Sequence, residues 1–163
     1  GYSSDITVFP KWRAGASLYA NLPKAFEVEA GLRYLYFNTN TFIYTLYVGK
    51  YYNNFLFGAR TYLTPAINNI AESYSVLGRY YYKGVDDYVG IMLSTGISPD
   101  DRRVNVQLYN NYKLRTYSCE LTLRHSIRKL NIITFNCSIL NQEYLPKVTG
   151  NQLQVGLGYI RRF

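Results

Sequence analysis

Strict alternation of apolar and polar side chains is the feature that most constrains how this chain folds. The clearest example is the segment FEVEAGLRYLY at residues 26–36, in which every second side chain is apolar. A period of two is that of a β-strand, whose successive side chains point to opposite faces. No stretch of comparable length has the spacing of an amphipathic helix, so the sequence predicts an all-β protein.

The alternation predicts ten strands within a single domain that covers residues 1–163. These strands are 11–21, 25–37, 41–52, 54–64, 70–83, 86–97, 104–113, 115–127, 130–140 and 152–163. Most breaks between them are rich in Asn, Asp, Gly and Pro, which favour tight turns, so we expect an antiparallel meander. The strands exceed the usual length of about 5–6 residues and match the roughly 9–11 residues that cross a bilayer.

The two faces of these strands differ in a way that favours a membrane. The apolar face has aromatic residues toward the strand ends, where a bilayer meets water, and the chain contains 19 Tyr and 8 Phe. The opposite face combines glycine with charges of both signs, namely Arg13, Glu27, Glu29, Arg33, Arg60, Arg79, Glu120 and Arg124. Glycine weakens the middle of a strand, but in a narrow interior it leaves space for a neighbouring guanidinium.

We therefore predict an antiparallel up-and-down transmembrane β-barrel with its apolar side chains toward lipid. The charged residues of the opposite face are predicted to form a network in the lumen, because uncompensated buried charges are costly. The alternative is a soluble antiparallel sheet in which the aromatic residues pair across strands. In that case the apolar side chains would pack together in a dry core.

The last predicted strand carries a pattern of its own. Leu157 and Tyr159 share the apolar face with the terminal Phe163. An alternating strand that ends in Phe is similar to the signal read by the bacterial outer-membrane insertion machinery. Arg161 departs from that pattern, because an apolar or aromatic residue is usual at its position.

Cys119 and Cys137 are the only cysteines, and both fall on the apolar face. A tight turn near residues 127–129 would place Cys119 opposite position 137 or 138. The pair is then either a cross-strand disulfide of an oxidising compartment or two free thiols facing lipid. The second reading is favoured, because directly opposed strand positions strain a disulfide.

The sequence offers little for catalysis or for cofactor binding. His125 is the only histidine, and no serine shares its face on the neighbouring predicted strands. No Cys/His spacing suits a metal, so we expect neither a metal nor a cofactor. The net charge of +8 is scattered singly along the chain, which argues against nucleic-acid binding.

Several segments, in this order, resemble the YaiO family of outer-membrane β-barrel proteins. They are residues 2–5 with 9–10, residues 31–34 with 37, and then 44, 49–51, 60–62, 78–80 and 96–100; the terminal strand also resembles the family. The resemblance implies the C-terminal part of a barrel in the bacterial outer membrane, with more strands before it. No catalytic residues can be carried over from this family.

The favoured function is a non-enzymatic, porin-like transport or export conduit, or a structural subunit of an envelope complex. The alternatives are a lipid-active barrel enzyme that uses His125 and a soluble β-sheet binding protein. Expected partners are outer-membrane lipid, the insertion machinery and other subunits of an envelope complex. Ten strands would place residues 38–40 and 99–102 in the periplasm and residues 83–87 and 141–151 outside.

Overall fold

The computed structural model describes residues 1–2, 10–36, 40–65, 70–96, 116–128, 130–145 and 147–162. Within them the chain forms one sheet of nine strands, and each strand pairs antiparallel with the next. The strands are β1 Trp12–Leu22, β2 Phe26–Tyr36, β3 Asn40–Tyr52, β4 Phe55–Pro65, β5 Ile70–Gly84, β6 Asp87–Thr95, β7 Thr116–Ile127, β8 Asn131–Leu145 and β9 Val148–Arg161. The described residues include a short 3₁₀ turn, Pro23–Ala25, and no helix long and apolar enough to cross a membrane. The predicted all-β antiparallel meander is confirmed.

The sheet is open among the described residues, because no pairing joins β1 to β9. On its free side, β1 makes one isolated bridge, between Tyr2 and Trp12, and every residue of β1 is exposed. The outer edge of such a strand presents unpaired main-chain N–H and C=O groups, with which another strand can pair. The sheet therefore has the meander of the predicted barrel without its closure.

The connection between β6 and β7 differs from the prediction. These two strands pair directly, from Tyr88 opposite Arg124 to Thr95 opposite Tyr117. The prediction of ten consecutive strands is therefore wrong here, because no position remains for a strand between them. The predicted strand 104–113 lies outside the described residues. Alternation indicates which side chains can share a face, but it does not indicate which neighbour a segment pairs with.

Direct pairing of β6 with β7 also decides which connections share an end of the sheet. Four connections lie at one end, called here the tight-turn end: 23–25, 53–54, 85–86 and 128–130. The β6–β7 and β8–β9 connections lie at the opposite end, called here the loop end. The prediction that residues 83–87 and 141–151 share an end is therefore wrong, because it rests on a strand between β6 and β7.

Large apolar side chains are exposed on one face of the sheet, which we call the apolar face. Leu32 is 41% exposed and Phe57 is 56% exposed, so neither is packed into a dry core. The buried apolar side chains of the described residues lie on the opposite, polar face; they are Leu35, Ile43, Leu56 and Ile132. The sheet thus exposes its apolar face and buries parts of its polar face. A barrel with its apolar side chains toward lipid requires this arrangement.

Candidate functional site

A cavity of about 350 Å³ lies against the polar face. Side chains from seven consecutive strands, β1 to β7, line it, so this face is concave. Its polar lining includes Tyr19, Glu27, Tyr47, Arg60, Arg79 and Glu120. Four of the eight predicted lumen charges therefore line a single cavity, together with two tyrosines that contact the charged residues.

Glu29 is the centre of the best-defined polar contacts on this face. Its carboxylate is 7% exposed, and its Oε2 lies 2.8 Å from Nη2 of Arg60. The Tyr19 hydroxyl donates to the other oxygen, Oε1, at 2.9 Å. Both oxygens of a nearly buried carboxylate are thus satisfied, which offsets the cost of removing the charge from water. The contacts join β1, β2 and β4 across the concave face.

Tyr47 holds a second predicted lumen carboxylate, that of Glu27. The Tyr47 hydroxyl donates to Oε1 of Glu27 at 2.7 Å, and the guanidinium of Arg60 lies 4.8 Å from the centre of its ring. The ring also lies against two glycines: a methyl group on Gly58 would stand 2.7 Å from Cε2, and one on Gly49 would stand 2.5 Å from the hydroxyl oxygen. These glycines leave space for an aromatic ring rather than for the guanidinium that the sequence suggested.

Arg79 and Glu120 line the same cavity without joining the Glu29 contacts. The guanidinium of Arg79 lies 4.9 Å from the ring centre of Tyr88, and Glu120 accepts the Thr122 hydroxyl at 3.2 Å. Among the described residues, neither Arg79 nor Glu120 forms a salt bridge. Arg79 and Glu120 thus place one positive and one negative charge in the cavity outside the Glu29 contacts.

Arg33 and Arg13 lie nearer the loop end of the same face. Arg33 lies 5.9 Å from the ring centre of Tyr62, and a methyl group on Gly15 would stand 3.4 Å from Cγ of Arg33. The main-chain N–H of Arg13 donates to the carbonyl of Gly1 at 2.9 Å. The predicted charges thus share a face but form separate contacts along it.

A second group of charges lies at the tight-turn end, around Asp86. Arg124 Nη2 lies 2.9 Å from Asp86 Oδ1. Arg162 binds the same carboxylate in a bidentate way, with Nη1 at 2.9 Å from Oδ2 and Nη2 at 3.1 Å from Oδ1. The sequence pointed to Arg124 but assigned Asp86 only to a turn, because contacts between residues 76 positions apart leave no local signal.

The neighbouring Asp87 is the first residue of β6, beside the two-residue turn 85–86 at the tight-turn end. It accepts hydrogen bonds from the Ser126 main-chain N–H at 2.8 Å and from the Ser126 hydroxyl at 2.6 Å. These bonds, with His125 Nδ1 at 2.8 Å, hold the pKa of Asp87 below its usual range. Because the Ser126 hydroxyl donates to Asp87 rather than to His125, the three residues do not form an activated nucleophile.

The cysteines share the apolar face as expected, but their predicted register is wrong. Cys119 lies opposite Ile139 and Cys137 lies opposite Leu121, and both thiols are free. Three residues, 128–130, join β7 to β8, and the Leu130 N–H donates to the carbonyl of Arg128 at 2.8 Å. This connection lies one residue further along the chain than the predicted turn, which shifts every pair, so the two cysteines are diagonal rather than opposed.

Two of the three residues of the predicted assembly signal lie on the apolar face of β9. Leu157 is 80% exposed and Tyr159 is 64% exposed. The Tyr159 hydroxyl donates to Asn131 Oδ1 at 2.6 Å, which ties β9 to the start of β8. Phe163 lies outside the described residues.

Comparison with known proteins supports the membrane assignment. The model of a family described as the YaiO membrane beta barrel domain matches residues 1–101, more than half of the chain. The family resemblance is therefore confirmed over that range, whereas the likeness of the terminal strand stays a prediction. Neither the curated proteins nor the solved structures contain a match. Within the described part of the chain, no group of acidic, His and Cys side chains could hold a metal.

Proposed function

Because the chain belongs to the YaiO membrane β-barrel family, we propose that it is a non-enzymatic conduit for small polar solutes in the bacterial outer membrane. The observation that carries the proposal is the polar cavity on the concave face of a sheet whose other face is apolar. Its volume of about 350 Å³ falls within the roughly 300–1,000 Å³ of typical small-molecule sites. The alternative is a structural subunit of an envelope complex, which we would propose if the barrel interior does not conduct solutes.

Aromatic pairs support a bilayer around this sheet. Tyr34 and Phe42 have ring centres 5.3 Å apart near the loop end, and Phe55 and Tyr80 have ring centres 4.9 Å apart near the tight-turn end. The apolar face between these levels carries aliphatic side chains such as Val48. Two aromatic levels that flank an aliphatic band are typical of membrane barrels.

The connections give the proposed barrel an orientation. Membrane barrels have short periplasmic turns and longer outer loops. The tight-turn end has connections of two or three residues. The loop end has three connections of two to four residues and one of 20 residues, 96–115, between β6 and β7. We therefore assign the tight-turn end, with residues 85–86, to the periplasm and the β6–β7 connection to the cell exterior. This assignment reverses the orientation expected from ten strands, which had residues 99–102 in the periplasm and residues 83–87 outside.

The same surfaces favour the expected partners. The exposed apolar face suits outer-membrane lipid, since burying it removes apolar area from water. Leu157 and Tyr159 are exposed on β9, an edge strand that pairs on one side with β8. We propose that the insertion machinery binds them there during assembly. The open edges also suit a further strand of an envelope complex, which is the basis of the structural alternative.

Planar-bilayer recording with the purified full-length chain tests the conduit. We expect discrete currents, and larger ones in Arg60→Ala and Arg79→Ala, because each change removes a guanidinium from the cavity. Lys11→Ala is the matched control, since it removes an exposed cation just before β1, away from the tight-turn end. A folded, inserted protein that never conducts, even with both cavity changes, would leave only the structural role.

The contact between Asp87 and His125 supports a second candidate function, that of a lipid-active barrel enzyme. A carboxylate at 2.8 Å from Nδ1 is the usual orienting partner of a histidine base. The test is phospholipid turnover in detergent micelles, with Lys50→Gln as a surface control. Equal turnover in the wild type and in His125→Ala would remove this candidate.

A further inference from the structure

The Asp86 contacts reach across the concave face rather than along one strand pair. Asp86 precedes β6 and Arg162 follows β9, so the two residues belong to elements three strands apart in the sheet. Neighbouring strands are about 4.8 Å apart, so the two side chains pass over the ends of β7 and β8. Nη2 of Arg124, on β7, lies 2.9 Å from the same carboxylate.

The backbone holds this bridge in place. The main-chain N–H of Arg162 donates to the carbonyl of Leu130 at 2.7 Å, which fixes Arg162 against the β7–β8 turn. Asp86 lies in the two-residue turn between β5 and β6. Both ends of the bridge are thus attached to tight turns, and its charged side chains lie across the tight-turn end of the concave face, which we call the tight-turn mouth.

The charges around this mouth favour anions. Two guanidinium groups share the single carboxylate of Asp86, while the neighbouring Asp87 is already engaged by Ser126. Lys24 and Arg128 are exposed in turns at the same end. Such an excess of positive charge attracts anionic solutes.

We propose that Asp86 is a latch across the tight-turn mouth, and that a solute bearing a carboxylate or a phosphate passes by replacing Asp86 on Arg124 and Arg162. Carboxylates and phosphates fit the forked donors of arginine in the same bidentate way that Asp86 does. Inside the mouth, the guanidinium of Arg79 is the next positive group of the cavity. This inference rests on the proposed conduit and names the chemistry of its solute.

The first test compares the wild type with Asp86→Asn in planar bilayers under a potassium chloride gradient, and then with inorganic phosphate on one side. Asp86→Asn should raise the single-channel conductance at least twofold and move the reversal potential toward that of chloride. Phosphate should reduce the chloride current in the wild type by binding the two arginines. Glu72→Gln is the matched control, because it removes one negative charge from the apolar face of β5. Equal conductance in wild type and Asp86→Asn, or a preference for potassium, would overturn the latch.

A double-mutant cycle tests the bridge without any current. The unfolding midpoints of Asp86→Asn, Arg162→Gln and the double variant are measured in detergent. The bridge predicts that the double variant shifts the midpoint no further than the larger single change, because either change alone breaks the contact. Additive shifts would contradict the bridge itself. Coupled shifts with no current from any variant would instead reject the conduit and make Asp86 a purely structural contact.

Discussion

Tyr47 donates its hydroxyl to Glu27 at 2.7 Å, and its ring covers Gly58 on the neighbouring strand. The glycine is what allows the ring to lie flat on the concave face. The hydrogen bond therefore depends on a missing side chain one strand away.

Gly58→Ala should destabilise the protein by about 1–3 kcal/mol, the usual cost of overpacking. The new methyl group would stand 2.7 Å from Tyr47 Cε2, so the ring must shift and weaken its bond to Glu27. Chemical unfolding in detergent measures the change. Gly156→Ala is the control, because a methyl group there meets nothing within 4 Å and should leave stability unchanged or raise it.

Glu29→Gln should cost about 1–3 kcal/mol, since it leaves Arg60 and Tyr19 without a charged acceptor at a nearly buried position. The side chain of Arg60 keeps 37% of its surface exposed, so water offsets part of the loss. The same unfolding assay applies. Glu72→Gln removes a similar carboxylate from an exposed site, and an equal loss in both variants would show that the contacts on the polar face contribute nothing specific.

Stability should fall as the pH drops below about 4, partly through Asp87. The pKa of Asp87 is lowered in the folded chain, first by its hydrogen bonds from Ser126. Its contribution is therefore complete above the unfolded pKa and is lost as the pH falls through the lower folded value. Thermal midpoints from pH 7 to pH 3 measure it. Asp87→Asn should show a shallower acid loss than the wild type, and parallel curves would contradict the assignment.

Both cysteines should react with a thiol reagent under denaturing, non-reducing conditions. Cys119 and Cys137 are free and lie diagonally across β7 and β8. Intact-mass measurement counts the labels. We expect two per chain, and a chain that takes none until it is reduced would show that a disulfide forms.

The alternation of side chains predicted the faces of the sheet well, because a period of two assigns each residue by its own position. Glu29 and Arg60 were placed on one face in this way, and the structure joins them. The same alternation places Tyr19 and Tyr47 on this face, because Tyr19 lies opposite Glu29 and Tyr47 lies opposite Arg60. The position of each tyrosine along its strand could therefore have identified both as candidate partners of the carboxylates.

Pairing and long-range contacts could not be predicted in the same way. The direct pairing of β6 with β7 depends on which strand edges meet, and alternation carries no information about that choice. A turn that lies one residue later than predicted moved the partner of Cys119 to Ile139. The Asp86–Arg162 contact depends on the curvature of several strands together, so neither residue marks it locally.

Spin-label accessibility in lipid vesicles tests the central claim, inside-out amphipathicity, most directly. Single cysteines at Val48 on the apolar face and at Ser75 on the polar face would carry the label, in a background with Cys119→Ser and Cys137→Ser. Val48 is exposed on β3, and Ser75 lines the cavity from β5. We expect the Val48 label to collide with oxygen dissolved in lipid and the Ser75 label to collide with a water-soluble nickel chelate. A Val48 label shielded from oxygen, or more accessible to the chelate than the Ser75 label, would contradict the claim.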